Sequence, residues 1–119
     1  MSILNRFWKK DILIQKTIEI DDSLFNEIES LSETVFDASV SKLINACIDD
    51  LIEKENIKQS DKLNHKLCSK HSLLLRKSSL DNLEILKEEY HISIYKLINI
   101  AIDNVINEYQ KEIRKESKK

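Results

Sequence analysis

Two stretches of the chain carry apolar residues at alternating steps of three and one. Val40, Leu43, Ile44, Cys47, Ile48, Leu51 and Ile52 form the first; Ile94, Leu97, Ile98, Ala101, Ile102, Val105 and Ile106 form the second. These steps place all the apolar side chains on one broad face of a 3.6-residue helix, so each stretch is predicted to be an amphipathic helix. The two are copies of one another. Lys42-Leu43-Ile44-Asn45, Ile48-Asp49 and Ile52 return as Lys96-Leu97-Ile98-Asn99, Ile102-Asp103 and Ile106, with a constant offset of 54 from Lys42 to Lys96. An internal repeat of this kind is read before anything else. One such helix cannot hide its own stripe, and a second copy gives the chain its own partner.

The segments before each copy repeat the same order. Ile14, Ile18 and Ile20 alternate with Gln15, Thr17 and Glu19, with Lys16 interrupting the apolar side. That period of two predicts a short strand. Asp21, Asp22 and Ser23 are N-cap residues for a first helix with Leu24, Phe25, Ile28, Leu31 and Val35 inward. A turn at Phe36-Asp37-Ala38 leads to the repeated helix, which Ser39 or Ser41 can cap. In the second half, Ser72 to Arg76 is the strand candidate, and Leu80, Leu83, Leu86 and Tyr90 mark the following helix. His91-Ile92 and the cap residue Ser93 then introduce the second copy. The predicted organisation is an extension over 1–13, a repeat over 14–54, a polar linker over 55–69, a repeat over 70–110 and a charged, fraying tail over 111–119.

Composition narrows the class. The 119 residues include no Gly and no Pro, so turns of positive φ fall to Asn, Asp, Ser or His, and the chain is predicted to be mostly helical. Without Gly there is no phosphate-cradling loop of the nucleotide-binding kind. The net charge of −2 hides segregation: residues 17–53 hold ten acids and one base, and residues 54–78 seven bases and two acids. There is no overall basic footprint of the sort that binds nucleic acid without regard to sequence. Cys47 lies on an apolar helix face and Cys68 in the linker, with no disulfide framework. No signal peptide and no membrane-length apolar run is seen, so a cytoplasmic protein without membrane contact is expected.

Strand, helix, Ser-capped turn and longer helix: each half resembles a ribbon-helix-helix domain of the Arc/MetJ/CopG type. The residues that carry the resemblance are Thr17 to Phe25 with Asp37 to Ile44, and Ser72 to Leu75 with Leu80, Leu83, Leu86 and His91 to Ile98. The resemblance implies a mainly α fold with a short β-ribbon, in which tandem copies form an intramolecular pseudodimer. In the family, the solvent face of the ribbon reads the major groove of double-stranded DNA. By position, the base-reading residues would be Gln15, Thr17, Glu19, Lys70, Ser72 and Leu74. Phosphate contacts would come from Lys16, Arg76 and Lys77 at the ribbon ends and from the starts of the long helices, Ser39-Val40-Ser41 and Ser93-Ile94-Tyr95. The implied roles are transcriptional repression or plasmid or phage DNA maintenance or transfer. The expected state is a monomer in solution with further assembly on DNA, and no cofactor.

Other readings stand beside this one. A ribbon face holding Glu19 and Leu74 fits a protein-interaction module that has kept the fold and lost DNA reading. A plain helical bundle without a ribbon is a third. His65, Cys68 and His71 have metal-like ligand types, but three ligands in a linker make a poor structural site, and no metal is assigned. In residues 1–13, Ile3, Leu4, Phe7 and Trp8 are helix-spaced with Arg6, Lys9 and Lys10 among them, which reads as a short amphipathic helix covering a core edge, or as a basic-aromatic patch for nucleic acid or an anionic surface. No nucleophile or acid–base pair converges, so no catalytic residue is assigned and no enzyme is expected.

Overall fold

A computed structural model describes residues 12–35, 39–55, 57 and 67–117, with side chains through Tyr109. The elements are β1 (Leu13–Asp21), α1 (Asp22–Thr34), α2 (Val40–Lys54), β2 (Cys68–Arg76), α3 (Lys77–Tyr90) and α4 (Ile94–Ser117). Each half runs strand, helix, helix, and the two strands form one antiparallel sheet. The chain is therefore mainly helical with a two-stranded ribbon.

The register pairs Thr17 with Ser72, Gln15 with Leu74 and Glu19 with Lys70. The strands begin 55 residues apart, from Leu13 to Cys68, and Thr17 and Ser72 are also 55 apart. Thr17 and Ser72 are thus equivalent positions that face each other, the other equivalent positions lie symmetrically on either side of them, and the pairing has a local two-fold axis between Thr17 and Ser72. Alternation then sorts the side chains. Ile18, Ile20, Leu73 and Leu75 point into the core and are buried.

Helix α2 is buried at every position from Leu43 to Leu51. A single apolar face would predict burial on one side only. The difference arises because α2 packs against α1, α3, α4 and β2 at once. Each Leu or Ile sunk in this core contributes about 1.5–3 kcal/mol relative to exposure. Leu97, Ile98 and Ile102 of α4 are completely buried beside it.

Caps follow the sequence closely. Asp21 Oδ1 accepts from the backbone N–H groups of Ser23 and Leu24, and Ser39 Oγ accepts from Lys42 N–H. His91 ends α3 in the left-handed region at φ 56°, the geometry expected of a glycine-free turn there. Glu55 does the same after α2 at φ 47°, without any such expectation. Asp37, its counterpart in the first turn, lies outside the described residues, as do residues 1–11 of the extension.

Three boundaries differ from the sequence reading. β2 begins at Cys68, inside the expected linker, because β1 offers a nine-residue partner along its whole length. α4 continues to Ser117 instead of fraying at Lys111, in keeping with the helix propensity of its Lys, Arg and Glu residues. Val35 is exposed, since α1 ends at Thr34 and the chain leaves the core there. No helix among the described residues is long and apolar enough to cross a membrane.

The two thiols are in contrasting places. Burial, with the charge of Asp50 beside it, pushes Cys47 far above the usual thiol range. Cys68 is only partly buried, and is raised by burial and then by Asp21, Glu19 and Asp22. Thiolate is the reactive form. In a thiol-labelling assay at pH 8, one thiol per chain should react in the folded protein and two in denaturant. Labelling of Cys47→Ser should be unchanged in the native state.

Candidate nucleic-acid interface

The six outward ribbon positions expected from alternation do share one face. Gln15, Thr17, Lys70, Ser72 and Leu74 are exposed and Glu19 is half-buried. Gln15 Nε2 donates to Ser72 Oγ at 2.7 Å, so the amide lies across the strands next to the two-fold axis. The cross-strand partners make the two ends of the face unlike. At one end Gln15 faces Leu74, with Leu13 beyond; the leucines are 47% and 55% exposed. At the other end Glu19 faces Lys70.

The ribbon is bound to the long helices along both outer edges. Ser41, Asn45 and Asp49 recur every fourth residue on α2 and face β2. Ser41 Oγ accepts from Leu74 N–H at 3.2 Å. Asn45 donates to Leu74 C=O at 2.8 Å and accepts from Arg76 N–H at 2.9 Å. On the opposite edge, Asn99 of α4 donates to Glu19 C=O and accepts from Asp21 N–H, both at 2.9 Å. Each asparagine thereby serves the strand of the other half. Sequence reasoning missed this role, although the signal was present: an Asn kept in both copies, next to apolar helix positions.

Arg76 does not fulfil its expectation as a phosphate contact. Its parity points outward, but it is buried, and Nη1 lies 2.6 Å from Asp49 Oδ2. Ser79 Oγ donates to Asp49 Oδ1 at 2.7 Å. The guanidinium is thus committed to the core. Lys16 and Lys77 are exposed, with Lys77 Nζ 3.3 Å from Asp81.

At the helix starts, Ser39 and its neighbours Val40 and Ser41 abut the β2 edge through Ser41. Ser39 Oγ caps the helix by taking the Lys42 N–H, so the N–H groups of Val40 and Ser41 are those this helix start could offer to an anion. At the second start, Ser93 Oγ is buried with no hydrogen-bond partner among the described residues, and Ile94 and Tyr95 are half-buried. Lys42 and Lys96, equivalent residues one turn into each long helix, are exposed. Sequence reasoning did not single them out; their repetition could have.

The cysteine–histidine cluster separates. Cys68 pairs with Asp21, while His71 has the opposite parity and stacks on Phe25 with ring centroids 3.6 Å apart. His65 lies outside the described residues. No protein-family model, curated protein or solved structure matches the chain.

Proposed function

We propose that this chain is a sequence-specific double-stranded DNA-binding protein, built as two ribbon-helix-helix halves in one intramolecular pseudodimer. The observation that carries this reading is the ribbon face: six outward side chains on two antiparallel strands, with a long helix starting at each edge. A two-stranded ribbon fits a major groove about 12 Å wide, where polar side chains meet base edges. The helix starts and the exposed Lys16, Lys42, Lys77 and Lys96 are the groups that would hold the phosphates on either side. Repression, or DNA maintenance or transfer on a plasmid or phage, is the class of role such a protein fills.

A gel-shift titration against the DNA flanking its own coding region, with unrelated competitor at two salt concentrations, tests the reading. A discrete, competitor-resistant complex is expected, weakening as salt rises because bound cations leave the phosphates. Gln15→Ala and Thr17→Ala should lower preference for the specific site, by about 5- to 100-fold each. Lys77→Ala should weaken specific and unrelated duplexes alike. If all three variants bind as the parent does, the ribbon is not the reading face. Sedimentation should give a monomer near 14 kDa in the absence of DNA.

One observation favours a second reading, a protein-interaction module of the same fold. Leu13 and Leu74 form an exposed apolar end on a ribbon face whose charges, Glu19 and Lys70, cancel. Absence of any DNA complex together with capture of a defined partner protein, lost in Leu74→Asp, would establish it.

A further inference from the structure

The backbone of the ribbon is two-fold symmetric and its surface is not. Equivalent positions of the two strands carry Gln15 and Lys70, Thr17 and Ser72, Glu19 and Leu74. Only the central pair is chemically matched. We infer that the chain binds a non-palindromic duplex in one fixed direction, each cross-strand pair of side chains reading one base pair. This rests on the DNA-binding reading above and extends it to the kind of site.

The register supplies the pairs. Leu74 N–H and C=O both point to the outer edge, where Ser41 and Asn45 meet them, and Glu19 C=O points to the other edge, to Asn99. Gln15–Leu74 and Glu19–Lys70 are therefore the pairs without mutual backbone bonds, the type whose Cα atoms approach to about 4.5 Å. Two side chains that close rise together toward the two halves of a single base pair.

The chemistry of each pair then selects a base pair. Gln15 can meet the N6 and N7 edge of adenine, and Leu74 beside it can meet the methyl group of the thymine paired with that adenine. The Gln15 bond to Ser72 uses one of two amide protons, which leaves the other proton and Oε1 for the adenine. At the other end Lys70 can donate to guanine O6 and N7, and Glu19 can accept from N4 of its cytosine. In each pair the two side chains complement the two partners of one base pair, so neither group is left facing a wrong edge. Glu19 lies four residue steps beyond Gln15, about 13 Å of strand, which matches about four base-pair steps. The site so described has an A·T pair and a G·C pair about four steps apart.

Selection of the full chain on a random duplex pool, followed by sequencing, tests the inference. A consensus with unlike ends, A·T at one and G·C about four steps away, is expected. Synthetic palindromes that repeat either end should bind about 10-fold more weakly or worse than the mixed site. The substitutions Gln15→Lys and Glu19→Leu together give both strands a Lys, hydroxyl, Leu face. That variant should instead enrich a palindrome and prefer it over the mixed site by a similar factor. A palindromic consensus from the parent chain would overturn the fixed direction while leaving DNA reading intact. No enrichment, with no salt-sensitive complex, would overturn the DNA reading itself and this inference with it.

Discussion

Arg76→Ala is expected to destabilise the chain by about 3–5 kcal/mol, a large part of the stability of any domain this small. The Arg76 and Asp49 side chains are only 4% and 6% exposed, and Nη1 lies 2.6 Å from Oδ2. Removing the guanidinium leaves the carboxylate in the core with Ser79 but without its ion-pair partner. The cost comes from stranding a charge, and so the double change Arg76→Met with Asp49→Leu should recover most of the loss. Urea unfolding of the two variants decides the matter. A single variant within 1 kcal/mol of the parent, to within about the error of such measurements, would show that the pair is not sealed from water.

The equivalent position in the first half gives a control. Asp21 stands where Arg76 stands, 55 residues earlier, and caps α1 with its carboxylate. Arg76 makes no side-chain cap for α3. Asp21→Ala should cost only about 1 kcal/mol, the worth of an N-cap. One position in a repeated frame therefore does two jobs, and the larger effect belongs to the residue whose side chain turned inward.

That difference also shows where sequence reasoning stops. The repeated steps of three and one located α2 and α4, and alternation placed Gln15, Thr17 and Glu19 on one side of a strand, because both periods are local geometry. Cap chemistry narrowed the start of α2 to Ser39 or Ser41, of which Ser39 is the cap, and allowed a left-handed turn at His91, for the same reason. The burial of Arg76 was not legible. Parity assigns a residue to a face only while the strand keeps its pleat, and Arg76 is the last strand residue before α3. Its partner Asp49 lies 27 residues earlier, so no window around either residue shows the pair. β2 started early for a related reason: Ser69 and His71 carry no apolar signal, and only the presence of β1 opposite them defines the strand there.

Asn45 and Asn99 carry the second large expectation, and it bears on how two halves became one unit. A two-stranded ribbon has two outer edges whose backbone groups need partners, and buried groups left without one cost about 1–3 kcal/mol each. Asn45 satisfies two such groups on β2, and Asn99 satisfies two on β1. Each side chain also donates to the carbonyl four residues back in its own helix, to Ser41 and to Tyr95, which fixes the amide before it meets the strand. Asn45→Ala or Asn99→Ala should each cost about 2–4 kcal/mol, and the pair should leave little folded protein. Hydrogen exchange separates this from a general loss of packing. In Asn45→Ala the Arg76 amide should lose protection while the Asp21 amide keeps it; in Asn99→Ala the order should reverse. Equal loss at both amides in both variants would mean that the asparagines act through the shared core. The reciprocal pattern would mean that each long helix holds the strand of the opposite half, so that neither half can complete its ribbon edge alone.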